Sequence, residues 1–259
     1  MVVKMSNIEQ FNLTPFQRQQ RMLEYVNRHG SASVKQLAEA FYLHEATVRR
    51  DLNALARAGQ ITRVHGGAAA MEGLQAEIPL YVRETAFREI KRELARKAAG
   101  MVRDGNTIFI DSSSTATLMT PFLENKKNLR IVTDGAQTSF QLSRLKDAQI
   151  FCVGGCLRGN SLSYIGPIAL QNLALFHFDY AFFSCRGVSL ENGLSDTSEE
   201  EAFFRKLLIQ RSEHAVLLVD HSKIDVTSFF GIAPLTAIHT LITDARLDGK
   251  WHIEGLNIP

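Results

Sequence analysis

Residues able to do chemistry fall into two sets along these 259 residues, and each set suits a different ligand. The first comprises Glu45, Ala46, Thr47, Arg49, Arg50 and Asn53, followed by Arg63 and His65. An Arg fork matches O6 and N7 of guanine, and an Asn amide matches adenine in the same two-pronged way, so this set suits the major groove of DNA. Arg63 and His65 would lie beside the phosphate backbone, adding affinity without sequence information. Ser33 and Lys35 are placed in the same set, whereas Arg57 reads as an ordinary solvated charge. The second set is Asp111-Ser112-Ser113-Ser114-Thr115, Thr133-Asp134, Gly154-Gly155, Arg158, Arg186 and Lys223. Hydroxyls and free amides of Ser112 to Thr115 at a helix start favour a phosphate, and Lys223 and Arg158 would neutralise it. Each of these loops also has the composition of an ordinary turn.

The elements that must position the first set are three short helices and a hairpin. Thr14-Pro15-Phe16-Gln17 has the form of a capping box with Pro at the first helical position, and its helix is expected to run to about Gly30. Ser33-Val34-Lys35-Gln36 repeats the box for a second helix ending near Phe41. After a turn at Tyr42 to His44, a third helix is expected from Glu45 to Ala58, stopped by Gly59. Val48, Leu52 and Leu55 share one face of it, which turns Ala46, Arg50, Asn53 and Arg57 outward, with Thr47 and Arg49 at the flanks. The run from Gln60 to Ala68 reads as a small hairpin or wing; otherwise Gly66-Gly67 opens a linker.

The second set follows β-prone runs at Thr107 to Ile110, Arg130 to Val132, Ile150 to Val153, Tyr180 to Phe183, Ala215 to Val219 and Thr240 to Ile242. Helical stretches separate them, beginning with Arg88 to Val102, which implies a largely parallel sheet covered on both faces. Ligands of such sheets bind beyond the carboxyl ends of the strands, where these polar loops fall. The expected organisation is a DNA-binding domain at 13–70, a linker at 71–87 and a sensor domain at 88–250.

Charge divides along the same line. Residues 1–70 hold nine Lys or Arg and five acids, a net +4, while the remainder carries −2. One small basic module on a mildly acidic body suits a chain of which only one part meets a polyanion. Three scattered cysteines make no disulfide framework, no apolar run is long enough for a bilayer span, and the start lacks a signal-peptide pattern, so a cytoplasmic address is expected. Cys152, in a strand that reads as buried, and Cys156 read as structural, the Glu199-Glu200-Glu201 run as a helix start, and Phe203-Phe204 and Phe229-Phe230 as core or subunit interface. Neither a metal nor a cofactor is expected.

Three blocks, Val34-Lys35-Gln36-Leu37-Ala38, Thr47-Val48-Arg49-Arg50-Asp51-Leu52 and Arg63-Val64-His65-Gly66-Gly67-Ala68, resemble the DNA-binding signature of the DeoR family of bacterial regulators. Thr107 to Asp111, Gly154-Gly155 with Leu157-Arg158, Val219 to Lys223 and Leu241 to Asp244 are similar to that family's effector domain. The resemblance implies an α/β protein: an N-terminal winged helix-turn-helix followed by a Rossmann-like sensor domain related to ribose-5-phosphate isomerase. It implies a homo-oligomeric repressor of a carbohydrate-utilisation operon, released from double-stranded operator DNA by a phosphorylated sugar. Tyr42, His44, Ser113, Asp134 and Arg186 depart from the family pattern. Asp134 is accordingly assigned to a sugar hydroxyl, and Arg186 either to a second acidic group on the effector or to Glu199 to Glu201. The alternative is a sugar-phosphate isomerase with an accessory DNA-binding domain, but the isomerases' Asp-Gly-Ala-Asp and Lys-Gly-Gly-Gly blocks are missing.

Overall fold

The computed structural model describes residues 14–57, 61–64, 66–70 and 80–259, which form two compact units dividing between Ala86 and Phe87. In the first unit Thr14 and Gln17 exchange hydrogen bonds as a capping box, and with Pro15 they start α1 (Pro15–His29). After β1 (Ser31–Ser33), Ser33 and Gln36 do the same for α2 (Val34–Phe41). That helix ends on Tyr42 at φ 54, a left-handed conformation that glycine adopts without strain. Then come α3 (Glu45–Arg57), β2 (Ile61–Val64) and β3 (Gly67–Ala70). The helix stop expected at Gly59, and Gln60 and His65, lie outside the described residues.

Gly67 begins a strand, not a linker. β3 pairs antiparallel with β2 on one side and β1 on the other. A Cβ on Gly67 would run into the backbone of Ala32 and Ser33, so the close approach of β3 to β1 requires glycine. Met22 and Val26 of α1, Leu37 of α2, Val48, Leu52 and Leu55 of α3, and Ile61 and Ala68 of the hairpin form one core. Inside the segment expected to be linker, α4 (Leu80–Thr85) is helical, with Leu80 buried.

The second unit opens with α5 (Arg88–Gly100) and builds a parallel six-stranded sheet. Its strands in chain order are β4 (Thr107–Ile110), β5 (Leu129–Thr133), β6 (Ala148–Cys152), β9 (Phe178–Phe183), β12 (Ser212–Leu218) and β14 (Thr240–Ile242). Their order across the sheet is β14-β12-β9-β4-β5-β6. Alternation along the strands supplies both faces: Ile108, Ile110, Phe182 and Leu218 enter one core with α5, and Phe109, Phe183 and Leu217 enter the other. Between strands run α6 (Ala136–Leu142), the β7 (Cys156–Leu157) and β8 (Tyr164–Ile165) hairpin, and α7 (Pro167–Leu173). α8 (Glu199–Gln210) covers the second core, and β10 (Gly187–Ser189), β11 (Gly193–Asp196) and β13 (Phe230–Ala233) make a small antiparallel sheet.

Two local expectations change, and a third, that the Phe pairs are core or subunit interface, is met in the core by only part of them. The helix after Thr115 is a 3-10 helix, Ala116–Leu123, and Pro121 inside it lacks the N–H that a regular α-helix requires. Cys152 is exposed, because β6 is an edge strand with no described strand on its outer side. The Phe pairs split, Phe204 lying in the core while Phe203 and Phe229 are exposed. The opposite edge, β14, is covered: Leu241 N donates to the Asn257 carbonyl and Asn257 N to that of His239.

Candidate functional site

On α3 the helical period separates core from surface. Ala46, Arg49, Arg50, Asn53 and Arg57 are exposed, opposite the buried Val48, Leu52 and Leu55. The helix starts on the backbone of His44, whose carbonyl accepts from Thr47 N at 2.9 Å and Val48 N at 3.2 Å. Arg49 Nη2 lies 2.9 Å from Glu45 Oε2 with both side chains at least half exposed, so a phosphate or a base can displace this weak pair. Arg63 is half-buried, and its Nη1 donates to the Gly67 carbonyl across the β2–β3 turn. Burial, then the neighbouring charge of Arg49, lowers the Arg63 pKa. The Ser33 hydroxyl oxygen is engaged in capping α2, and Lys35 is exposed on that helix's first turn.

The buried Asp51 went unassigned in the sequence. Arg18 grips it with Nε at 2.5 Å and Nη2 at 3.1 Å, and Gln19 Nε2 adds a bond at 3.1 Å, tying α1 to α3. The hydrogen bond to Asp51 raises the Arg18 pKa. Both its carboxylate oxygens are satisfied, so the orientation of α3 is fixed from beneath.

In the second unit the polar loops meet at the carboxyl edge of the sheet. Asp111 Oδ1 accepts from Ser113 N and Oδ2 from Ser184 N, each at 3.0 Å, joining the loops after β4 and β9. Asp134, after β5, accepts from Ser112 N at 2.8 Å with Oδ1 and from Ser112 Oγ at 3.0 Å with Oδ2. Ser113 Oγ accepts from Ala116 N, and Thr133 Oγ1 from Gly135 N. Lys223 Nζ reaches Ser184 Oγ at 3.1 Å and the Cys185 carbonyl at 2.9 Å. Gly155, at φ 113, packs against the Ile165 carbonyl, where a Cβ would come within 2.7 Å. Arg158 donates to Ser198 Oγ and lies 3.9 Å from Glu201 Oε1. Arg186 is half-buried, with its backbone N on the Ser195 carbonyl.

Beneath these loops sits Arg205 of α8, which the sequence did not single out. Its guanidinium is 2.8 Å from Glu201, 3.1 Å from Asp196 and 3.8 Å from Asp111. Burial alone would lower its pKa, but these three charges outweigh burial and hold it ionised. Burial raises the Asp111 carboxyl, opposed by Arg205, and burial plus repulsion from Asp111 pushes Asp134 up to about 7. The sequence also did not single out Lys91 of α5, buried with Nζ 3.1 Å from Ser114 Oγ. Both residues had a signal: Arg205 lies four after Glu201, and Lys91 shares a helical face with Leu94, Ala95 and Ala98. An arrangement of hydroxyls, amides and partly neutralised cations can hold a small polar anion.

Residues 18–73 match the DeoR-like helix-turn-helix domain, and residues 87–245 match the DeoR C terminal sensor domain. The chain is 35% identical to the uncharacterized HTH-type transcriptional regulator YulB of Bacillus subtilis (strain 168), covering 90% of each. It is 32% identical to the glycerol-3-phosphate regulon repressor of Escherichia coli (strain K12), over 88% of this chain and 90% of that one. It is 34% identical to the lactose phosphotransferase system repressor of Streptococcus mutans, over 90% and 94% respectively. Among solved structures, ribose 5-phosphate isomerase A from Methanocaldococcus jannaschii aligns with a TM-score of 0.39 at 18% identity, over 53% of this chain and 54% of that one.

Proposed function

The chain belongs to the DeoR family of helix-turn-helix transcriptional regulators, and from that premise we propose that it represses a carbohydrate-utilisation operon and is released from its operator by a phosphorylated sugar. In this reading residues 13–70 bind DNA, 71–87 connect, and 88–250 hold the effector. Relatives are named as regulators rather than enzymes, two of them as the glycerol-3-phosphate regulon repressor and the lactose phosphotransferase system repressor.

The observation that carries the effector class is the joined polar rim. Asp111 to Thr115, Thr133-Asp134, Ser184 and Lys223 come from four different strand ends, with Arg158, Arg205 and Lys91 around them. Arg49, Arg50 and Asn53 read bases, and Arg63 and Lys35 hold the backbone. A homo-oligomer would present two copies of α3 to half-sites about 34 Å apart or a multiple of it.

The test is a fluorescence anisotropy titration of the protein against duplex DNA from upstream of its own gene, with and without a pool of sugar phosphates. Salt-sensitive binding that the pool weakens is the expected result. Binding indifferent to every sugar phosphate would remove the effector class and leave the DNA-binding half intact.

A further inference from the structure

The second unit begins with a strained turn that touches two of the loops assigned to the effector. Phe87 has φ 53, left-handed for a bulky residue, and its carbonyl accepts from Lys91 N at 2.9 Å in the first turn of α5. The Phe87 ring meets the ring of His221 edge-on, with centroids 4.9 Å apart. His221 belongs to the same short turn as Lys223, and its Nδ1 lies 2.7 Å from Asp244 Oδ2. One helical turn on, Lys91 is buried with its ammonium on Ser114, and the adjoining Thr115 Oγ1, fully buried, has no hydrogen-bond partner among the described residues. The first five residues of the second unit thus bear on both the Ser112 to Thr115 loop and the Asp220 to Lys223 turn. They are also the residues through which the chain arrives from the DNA-binding unit.

We propose that the Phe87–Lys91 turn is the element that carries effector occupancy toward the DNA-binding unit, with Lys91 a direct ligand of the effector's phosphate beside Ser114. The inference rests on the sugar-phosphate reading above. A phosphate held by the loop's amides and hydroxyls competes with Ser114 for the Lys91 ammonium, which donates up to three hydrogen bonds. Turning toward the phosphate shifts the first turn of α5, and Phe87, whose carbonyl is bonded to Lys91 N, follows. The effector's affinity for the released state over the DNA-bound state supplies the coupling.

The test uses the full chain with inorganic phosphate, ribose 5-phosphate, fructose 6-phosphate and glucose 6-phosphate as probes. Binding is read by thermal shift, and operator release by anisotropy as the ratio of affinities with and without probe. Lys91→Gln is expected to raise the probe concentration at half-shift by about tenfold or more, the scale of one lost hydrogen bond to a charged group, and Lys91→Arg to recover most of it. Phe87→Ala is expected to show the wild-type thermal shift with the release ratio collapsed toward one. Should Lys91→Gln not fold, Ser114→Ala carries the same prediction at a smaller size. A responsive wild type with unaltered Lys91 or Ser114 variants overturns the ligand role, and normal release by Phe87→Ala overturns the transmission. A wild type that answers no probe removes the sugar-phosphate reading itself, and the role of the turn with it.

Discussion

The two surfaces proposed to bind DNA and effector are built on opposite terms. On α3, Arg49, Arg50 and Asn53 stand in water with at most one weak partner among the described residues, on a helix anchored from below by the buried Arg18–Asp51 pair. At the sensor's strand ends, Asp111, Ser112, Ser114 and Asp134 are buried and already engaged, Ser112 with Asp134, Asp111 with Arg205 of α8, and Ser114 with Lys91 of α5. In the proposed reading the difference follows from the ligand. Duplex DNA brings its own rigid array of phosphates and base edges, so the protein need only aim solvated groups at it, at little desolvation cost. A small anion must be enclosed, which demands that the enclosing charges be satisfied before it arrives.

The sharpest way to break the comparison is Arg205→Met. It leaves Asp111, Asp196 and Glu201 buried without their cation and should cost the sensor about 3–5 kcal/mol. Urea unfolding followed by Trp251 fluorescence reads this unit alone, because the chain's single tryptophan is buried in the sensor core. A loss below 1 kcal/mol would mean that the acids are not charged together.

Asp134 offers a test with a sign. Its pKa is raised to about 7 from an ordinary value of 3.8, so the folded state holds a proton that the unfolded chain has released. Stability contributed by this group is therefore full below about pH 4 and falls as pH rises toward 7. Asp134→Asn should remove that slope, raising sensor stability at pH 8 by on the order of 2–4 kcal/mol and changing little at pH 4. Equal effects at both pH values would refute the assignment.

Arg50→Ala works at the other surface. It is expected to leave urea stability unchanged while reducing discrimination between operator and random duplex by about 1–3 kcal/mol in anisotropy titrations. Lys223→Ala should retain operator binding but blunt release by sugar phosphate about tenfold. Normal release in that variant would move the phosphate away from the Asp220 to Lys223 turn. The smallest effect belongs to Tyr42→Gly, which relieves a left-handed side chain and should raise the melting temperature of the DNA-binding unit by the equivalent of about 1 kcal/mol or less.

Legibility in the sequence tracked the range of the interactions. Both capping boxes and the outward face of α3 depend on residues three or four apart, and each was readable from spacing alone. The six sheet strands were readable from β-branched and aromatic runs. What escaped depends on partners far along the chain. Asp51 looks like one more charge on a basic helix until Arg18 is brought beneath it. Arg205 looks like a solvated cation after two phenylalanines until β4 and β11 deliver Asp111 and Asp196. Cys152 sits in an apolar run that resembles an interior strand, and only the strand order reveals it as an edge. Gly67 was ambiguous because the demand for glycine arises from β1, more than thirty residues earlier.

The position of β3 has a mechanical meaning. The last described strand before the chain runs on toward the sensor is the middle one of its sheet, hydrogen-bonded to β1 on one side and β2 on the other. Tension applied along the backbone at Ala70 loads both ladders together instead of unzipping a free edge. Because β1 runs directly into α2 through the Ser33 cap, a pull of that kind reaches α2 as well as the sheet.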